Sequence, residues 1–60
     1  MNLPVDDYML LSLVNTKLRD EYPSFKELCE EEDVDGGEIC VRLKRLGYAY
    51  TPEYHAFKPV

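Results

Sequence analysis

Apolar residues recur every four positions at Leu10, Val14, Leu18 and Tyr22, with Leu11 beside them and Leu13 at the flank. Such spacing lays one stripe along a helix and predicts a first helix over about residues 6–22. Asp6 stands as its N-cap. Val5 precedes the cap and Leu10 lies four residues into the helix, the spacing of a hydrophobic staple. Lys17 is expected to extend its ammonium group to water, and Pro23 ends the segment. Ser24-Phe25-Lys26-Glu27 reads as a capping box opening a second helix over about 24–32, with Phe25, Leu28 and Cys29 on its inner face. A second box, Asp35-Gly36-Gly37-Glu38, opens a third helix over about 35–46. Val34 and Ile39 occupy its staple positions, Ile39, Leu43 and Leu46 form its buried face, and Gly47 stops it. Tyr48 is expected to pack back on Leu43.

After Gly47 the period changes from helical to alternating. Tyr48-Ala49-Tyr50 and His55-Ala56-Phe57 flank Thr51-Pro52-Glu53-Tyr54, where Pro52 suits the second position of a type I turn. This predicts a hairpin over about 48–57. Two strands are marginal alone, so they must rest on the helices. The fold class is therefore mainly α: a three-helix helix-turn-helix core with a short C-terminal β-hairpin, winged-helix-like, in a single domain over residues 1–60.

Sixty residues bury only about 60% of the surface that the unfolded chain exposes, so small domains of this kind often gain stability by association. Twelve acidic against seven basic residues leave a net charge of −5. A phosphate backbone or an anionic membrane repels such a molecule on average. Two cysteines, Cys29 and Cys40, and one histidine, His55, supply too few soft ligands for a closed zinc site. Both thiols are expected reduced and at least partly buried, without metal. Met1 to Pro4 carries no positive charge, and Ser12 breaks the apolar run from Met9 to Val14, so neither a secretory signal nor the roughly 20 apolar residues of a membrane span is found. A reducing cytoplasm is the expected location.

From Leu28 to Leu46 the chain resembles the winged helix-turn-helix class. Leu28 and Cys29 match the inward leucine and small residue of the pair's first helix. Val34 matches the apolar turn residue, and Ile39, Leu43 and Leu46 match the inward face of the second helix. Glu32 stands where the class usually has a buried leucine, and Asp33 where it often has glycine. Nearly the whole chain is also similar to a family of short bacterial proteins called domain of unknown function 4250. The residues that carry the likeness are Asn2-Leu3-Pro4, Met9 to Ser12, Val14 to Asp20, Glu27 to Glu30, and Leu46-Gly47-Tyr48. Asp7 replaces a proline common there. The resemblance implies the architecture above and no activity.

A recognition helix offers its N-terminal residues to bases and phosphates. Here those residues are Asp35, Gly36, Gly37 and Glu38, behind Glu30, Glu31, Glu32 and Asp33. Carboxylates would face phosphate, and glycines read nothing. Arg42, Lys44 and Arg45 fall in the last turns, where cations complement the helix dipole. Direct contact with nucleic acid is thus not expected. An EF-hand loop started at Glu31 places Asp33, Asp35 and Gly36 correctly, but its twelfth position is Arg42 instead of glutamate. No motif ties a thiol or hydroxyl to His55 as a nucleophile–base pair. Neither an enzyme nor a cofactor is implied.

With Ile39 and Leu43 turned inward, the helical step of about 100° puts Val41 on the opposite face. Gly37 and Lys44 flank it, and Cys40 lies at the boundary. These four, with Tyr50 and Tyr54 of the hairpin, form the candidate interaction surface. The expected function is a non-catalytic intracellular module that binds a protein partner or a second copy of itself. The alternative is a nucleic-acid-linked transcriptional regulator or cofactor of winged-helix type, whose partner supplies positive charge.

Overall fold

The computed structural model describes residues 1–60. Three helices, α1 (Asp7–Asp20), α2 (Phe25–Glu32) and α3 (Gly36–Lys44), are followed by strands β1 (Tyr48–Thr51) and β2 (Ala56–Pro59). The fold is mainly α, closed by an antiparallel hairpin. Each helix starts on the expected side-chain cap, because four N–H groups at a helix start lack intrahelical acceptors. Asp6 accepts from the N–H groups of Tyr8 and Met9 at 2.7 and 3.3 Å. Ser24 accepts from Glu27 at 3.1 Å, and Asp35 from Gly37 and Glu38 at 2.8 and 3.4 Å. The returning half of each capping box is not made. Glu27 stays exposed, and the Glu38 carboxylate lies 4.0 Å from the Arg42 guanidinium instead.

The helix ends are tighter than periodicity indicated. α1 stops at Asp20 and not at Tyr22, because a residue before proline is pushed out of the helical region. Glu21 and Tyr22 both donate their N–H to the Lys17 carbonyl, at 2.8 and 3.0 Å. α2 ends on Asp33 with φ 55°, a left-handed turn, and the Val34 N–H returns to the Cys29 carbonyl at 3.0 Å. Aspartate tolerates that conformation better than most residues other than glycine. α3 gives way after Lys44 to turns in which Leu46 donates to Leu43 and Gly47 to Lys44, at 3.0 and 2.8 Å. Gly47 then turns the chain at φ 83°, a conformation glycine adopts without penalty.

The hairpin starts at Tyr48 as expected but runs on to Pro59 instead of ending near 57. Its register pairs Tyr48 with Pro59, Ala49 with Lys58, Tyr50 with Phe57 and Thr51 with Ala56. His55 belongs to the turn and not to a strand: its φ is 54°, and its N–H donates to the Pro52 carbonyl at 3.1 Å. Phe57 turns its own N–H and carbonyl away from β1 and onto Asn15 of α1. Antiparallel pairs alternate between bonded and non-bonded, so Pro59, two residues on, also faces away from β1 and loses no ladder bond.

Seven residues are fully buried: Leu10, Val14, Leu18, Leu28, Ile39, Leu43 and Phe57. The stripe of α1, the inner faces of α2 and α3, and one hairpin residue thus meet in one core. Phe25 and Tyr50 stack with ring centres 5.5 Å apart, and Phe57 meets Phe25 edge-on at 5.1 Å. Tyr48 and Leu46 pack on the same cluster. The Val5–Leu10 staple does not form, since Val5 is 98% exposed. Arg42 of α3 explains this: its guanidinium draws the Pro4 and Val5 carbonyls toward α3, and Leu3 and Met1 pack on the core in place of Val5.

Candidate interaction surface

Four of the six candidate surface residues project from α3, whose inner face is fixed by Ile39 and Leu43. Val41 is 63% exposed, and Gly37, Cys40 and Lys44 are exposed with it. Lys44 makes no ion pair, whereas its neighbours Arg42 and Arg45 are both engaged. Cys40 is exposed, against the expectation of partial burial. α2 meets α3 one turn earlier, at Gly36, where an added Cβ would stand 3.0 Å from the Cys29 sulfur. Cys40 is left uncovered. Cys29 is half-buried, and burial pushes its thiol up from the ordinary range; both cysteines are free.

The two hairpin tyrosines part company. Tyr54 is exposed at the turn, with the Lys58 ammonium 5.6 Å from its ring centre. Tyr50 is only partly exposed: it lies opposite buried Phe57 and stacks on Phe25. Alternation told that one face of β1 points inward without telling which. The exposed strip is therefore Gly37, Cys40, Val41 and Lys44, with Tyr54 on a separate element.

The helices also carry two polar clusters. Arg42 is only 12% exposed; its Nε donates to Asp7 Oδ1 at 2.7 Å and its Nη2 to Val5 O at 3.0 Å. Arg45 reaches the same aspartate at 3.6 Å. Position in the last turns of α3 accounts only for an interaction with the helix dipole, and no local signal announces a partner 35 residues away. Glu32, at the end of α2, forms the second cluster. It accepts from the Tyr22 hydroxyl and, at 3.2 Å, from Lys17, which also donates to Glu21 at 3.3 Å. Lys17 is thus tied down and not free in water. These hydrogen bonds hold the Glu32 carboxyl below its ordinary range, raise Lys17, and push the Tyr22 phenol up to about 12. Within the acidic run Glu30-Glu31-Glu32-Asp33 nothing local singles out Glu32; its partial burial, which makes a partner necessary, appears only in the fold.

His55 is consumed structurally. Its Nε2 donates to the Tyr22 carbonyl at 2.7 Å, and Nδ1 faces the Tyr50 hydroxyl at 3.3 Å. Both ring nitrogens thus have a partner within the chain, one a backbone carbonyl and the other a hydroxyl. Beside it lies an open hollow of about 340 Å³, walled by the end of α1 and the turn into α2. No three histidine, cysteine, aspartate or glutamate side chains gather as metal ligands, and no helix is long and apolar enough to cross a membrane.

A family model matches residues 4–57, from the clamp at Pro4 to the core residue Phe57. The chain belongs to the family Domain of unknown function (DUF4250). The matched span holds all three helices and most of the hairpin, so the caps, the Asn15–Phe57 contact and the α3 strip all fall inside the family's own domain. No curated protein and no solved structure matches the chain.

Proposed function

We propose that the chain is a small non-catalytic interaction module, acting in the cytoplasm, whose α3 strip receives a protein partner. One observation carries the reading: Val41 is 63% exposed between Gly37 and Lys44, on the helix face opposite buried Ile39 and Leu43. Gly37 lets a partner backbone approach closely, Val41 supplies apolar area, and Lys44 is an unpaired cation for an acceptor at the rim. Apolar residues at the centre of a patch with polar neighbours are the usual anatomy of a protein interface. The test uses the chain as bait in lysate from its own source, beside Val41→Asp and Tyr54→Asp variants. A partner retained by the wild type and Tyr54→Asp, and lost with Val41→Asp, supports the strip. Equal capture by all three removes it.

A second reading, a nucleic-acid-linked regulator of winged-helix type, rests on the order of three helices and a hairpin and on the left-handed Asp33 between α2 and α3. Fold order alone is a weak guide to function. The charge pattern weighs against direct contact: Arg42 and Arg45 are held by Asp7, and Asp35 and Glu38 stand at the α3 entrance. Retention of duplex DNA that weakens steeply with salt is the behaviour this second reading requires. Its absence leaves the protein-binding reading.

A further inference from the structure

The backbone groups along β1 divide into two sets. Ala49 and Thr51 face β2, because Tyr50 lies opposite Phe57, whose N–H and carbonyl are turned away onto Asn15. Tyr48 and Tyr50 therefore direct their N–H and carbonyl groups to the other side, and no backbone or side-chain group of the chain bonds them there. The outer edge of β2 is occupied by Asn15, whereas the outer edge of β1 is unpaired along a strand whose residues are all partly exposed. Such an edge is a template for another strand, and natural proteins usually guard it with charge, proline or a bulge. Tyr48-Ala49-Tyr50-Thr51 carries none of these.

We propose that the open edge of β1 pairs antiparallel with β1 of a second copy, joining two hairpins into one four-stranded sheet about a two-fold axis at Ala49. About that axis Tyr48 of each copy lies opposite Tyr50 of the other. Each such pair exchanges two N–H···O bonds, as a bonded antiparallel pair does. The contact is self-complementary, as a two-fold interface requires. Aromatic rings then face each other across the strands on the inner side, a favourable cross-strand pairing, while two alanines meet on the outer side without bulk. An uncharged strand is also the place where two molecules of net charge −5 can approach most closely. A two-stranded sheet is marginal by itself, and four strands are not. The edge is separate from the α3 strip, so this pairing stands or falls independently of the partner site there.

The test reads mass and amide protection together. Sedimentation equilibrium of the wild type should move from one-chain toward two-chain mass as concentration rises. Amide exchange at Tyr48 and Tyr50 should slow in step. Added salt should strengthen association by screening like charge. Ala49→Glu keeps the hairpin, since position 49 faces Lys58 within the chain, but sets two carboxylates side by side at the axis; it should stay at one-chain mass. An equal mixture of Ala49→Glu and Ala49→Lys should regain two-chain mass, because opposite charges then meet there. Val41→Ala should dimerise as the wild type does. A wild type at one-chain mass up to its solubility limit overturns the proposal. So does a dimer whose Tyr48 and Tyr50 amides exchange as fast as the monomer's, or one abolished by Val41→Ala.

Discussion

The side-chain amide of Asn15 takes both backbone polar groups of Phe57: its Nδ2 donates to the Phe57 carbonyl at 3.1 Å, and its Oδ1 accepts the Phe57 N–H at 2.8 Å. One residue of α1 thereby closes the outer edge of β2, in the way a neighbouring strand would. The same contact holds the buried Phe57 ring against Phe25 and fixes which groups of β1 point outward.

Asn15→Ala leaves a buried residue's N–H and carbonyl without partners. The expected loss is about 1–3 kcal/mol, the desolvation cost of unsatisfied backbone groups. Denaturant unfolding measures the loss, and faster amide exchange at Phe57 localises it. Asn15→Asp keeps the acceptor but turns a carboxylate on the Phe57 carbonyl, so it should be at least as damaging at neutral pH and recover in part as acid protonates it. A neutral effect of both substitutions would mean that pairing with β1 and the Phe57 ring hold β2 without help from Asn15.

The Tyr22–Glu32 hydrogen bond gives stability a pH dependence at both ends of the scale. The folded protein keeps the Tyr22 proton up to about 12, above the ordinary 10.0 of the unfolded chain. Its contribution is therefore whole below pH 10.0 and is lost as pH rises through about 12. Glu32 has the opposite sign: its folded carboxyl titrates below the ordinary 4.5, so its contribution is whole above 4.5 and is lost as pH falls through the lowered value. Glu32→Gln should return the Tyr22 titration toward 10.0, followed by the ring resonances of Tyr22 in nuclear magnetic resonance. It should also flatten the loss of stability in acid. A Tyr22 titration unmoved by that substitution would remove Glu32 as its cause.

Gly36 and Gly37 are adjacent at the start of α3 yet answer to different neighbours. An added Cβ at Gly36 would stand 3.0 Å from the Cys29 sulfur and 3.3 Å from Phe25, whereas at Gly37 it meets only the Asp35 cap oxygen, at 3.2 Å. Alanine ordinarily favours a helix over glycine by about 1 kcal/mol. At Gly36 overpacking should outweigh that gain, for a net loss of about 1–3 kcal/mol. Gly37→Ala should stay within about 1 kcal/mol of the wild type. Cys29→Ala removes the sulfur, so the double variant Gly36→Ala, Cys29→Ala should be more stable than the sum of the two single changes. Additivity in thermal unfolding would place the strain elsewhere.

Local physics made most of the architecture readable. Leu10, Val14 and Leu18 repeat at helical spacing, and Asp6, Ser24 and Asp35 each cap the turn that follows them, so each signal lies within a few residues of its effect. The departures in side-chain placement have distant causes. Val5 is exposed because Arg42 takes its carbonyl from 37 residues away. Lys17 is held because Glu32 returns to it at the end of α2. Asn15 reads as an ordinary polar residue on a helix flank, since its partner Phe57 lies 42 residues on. Tyr50 and Tyr54 are chemically alike, and only the register with Phe57 lays one ring against the core and leaves the other outside. On α3 the one-residue angular step sufficed to place Val41 outward, because Ile39 and Leu43 anchor its phase on both sides.

That phase has a direct test in Leu43 and Val41, two residues apart on one helix. Leu43 is fully buried and Val41 is 63% exposed. Leu43→Ala removes buried methyl groups among Ile39, Leu10 and their neighbours in the core and leaves a cavity, at a cost of about 2–5 kcal/mol. A core in a domain this small supplies only about 3–5 kcal/mol, so the variant should be largely unfolded at physiological temperature. Val41→Ala deletes exposed methyl groups and raises helix propensity, since alanine loses no side-chain freedom against the preceding turn. It should melt at or slightly above the wild-type temperature. Circular dichroism during heating distinguishes the two. Unfolding by Val41→Ala with Leu43→Ala intact would rotate α3 by about half a turn, and the partner site proposed on its outer face would then lie in the core.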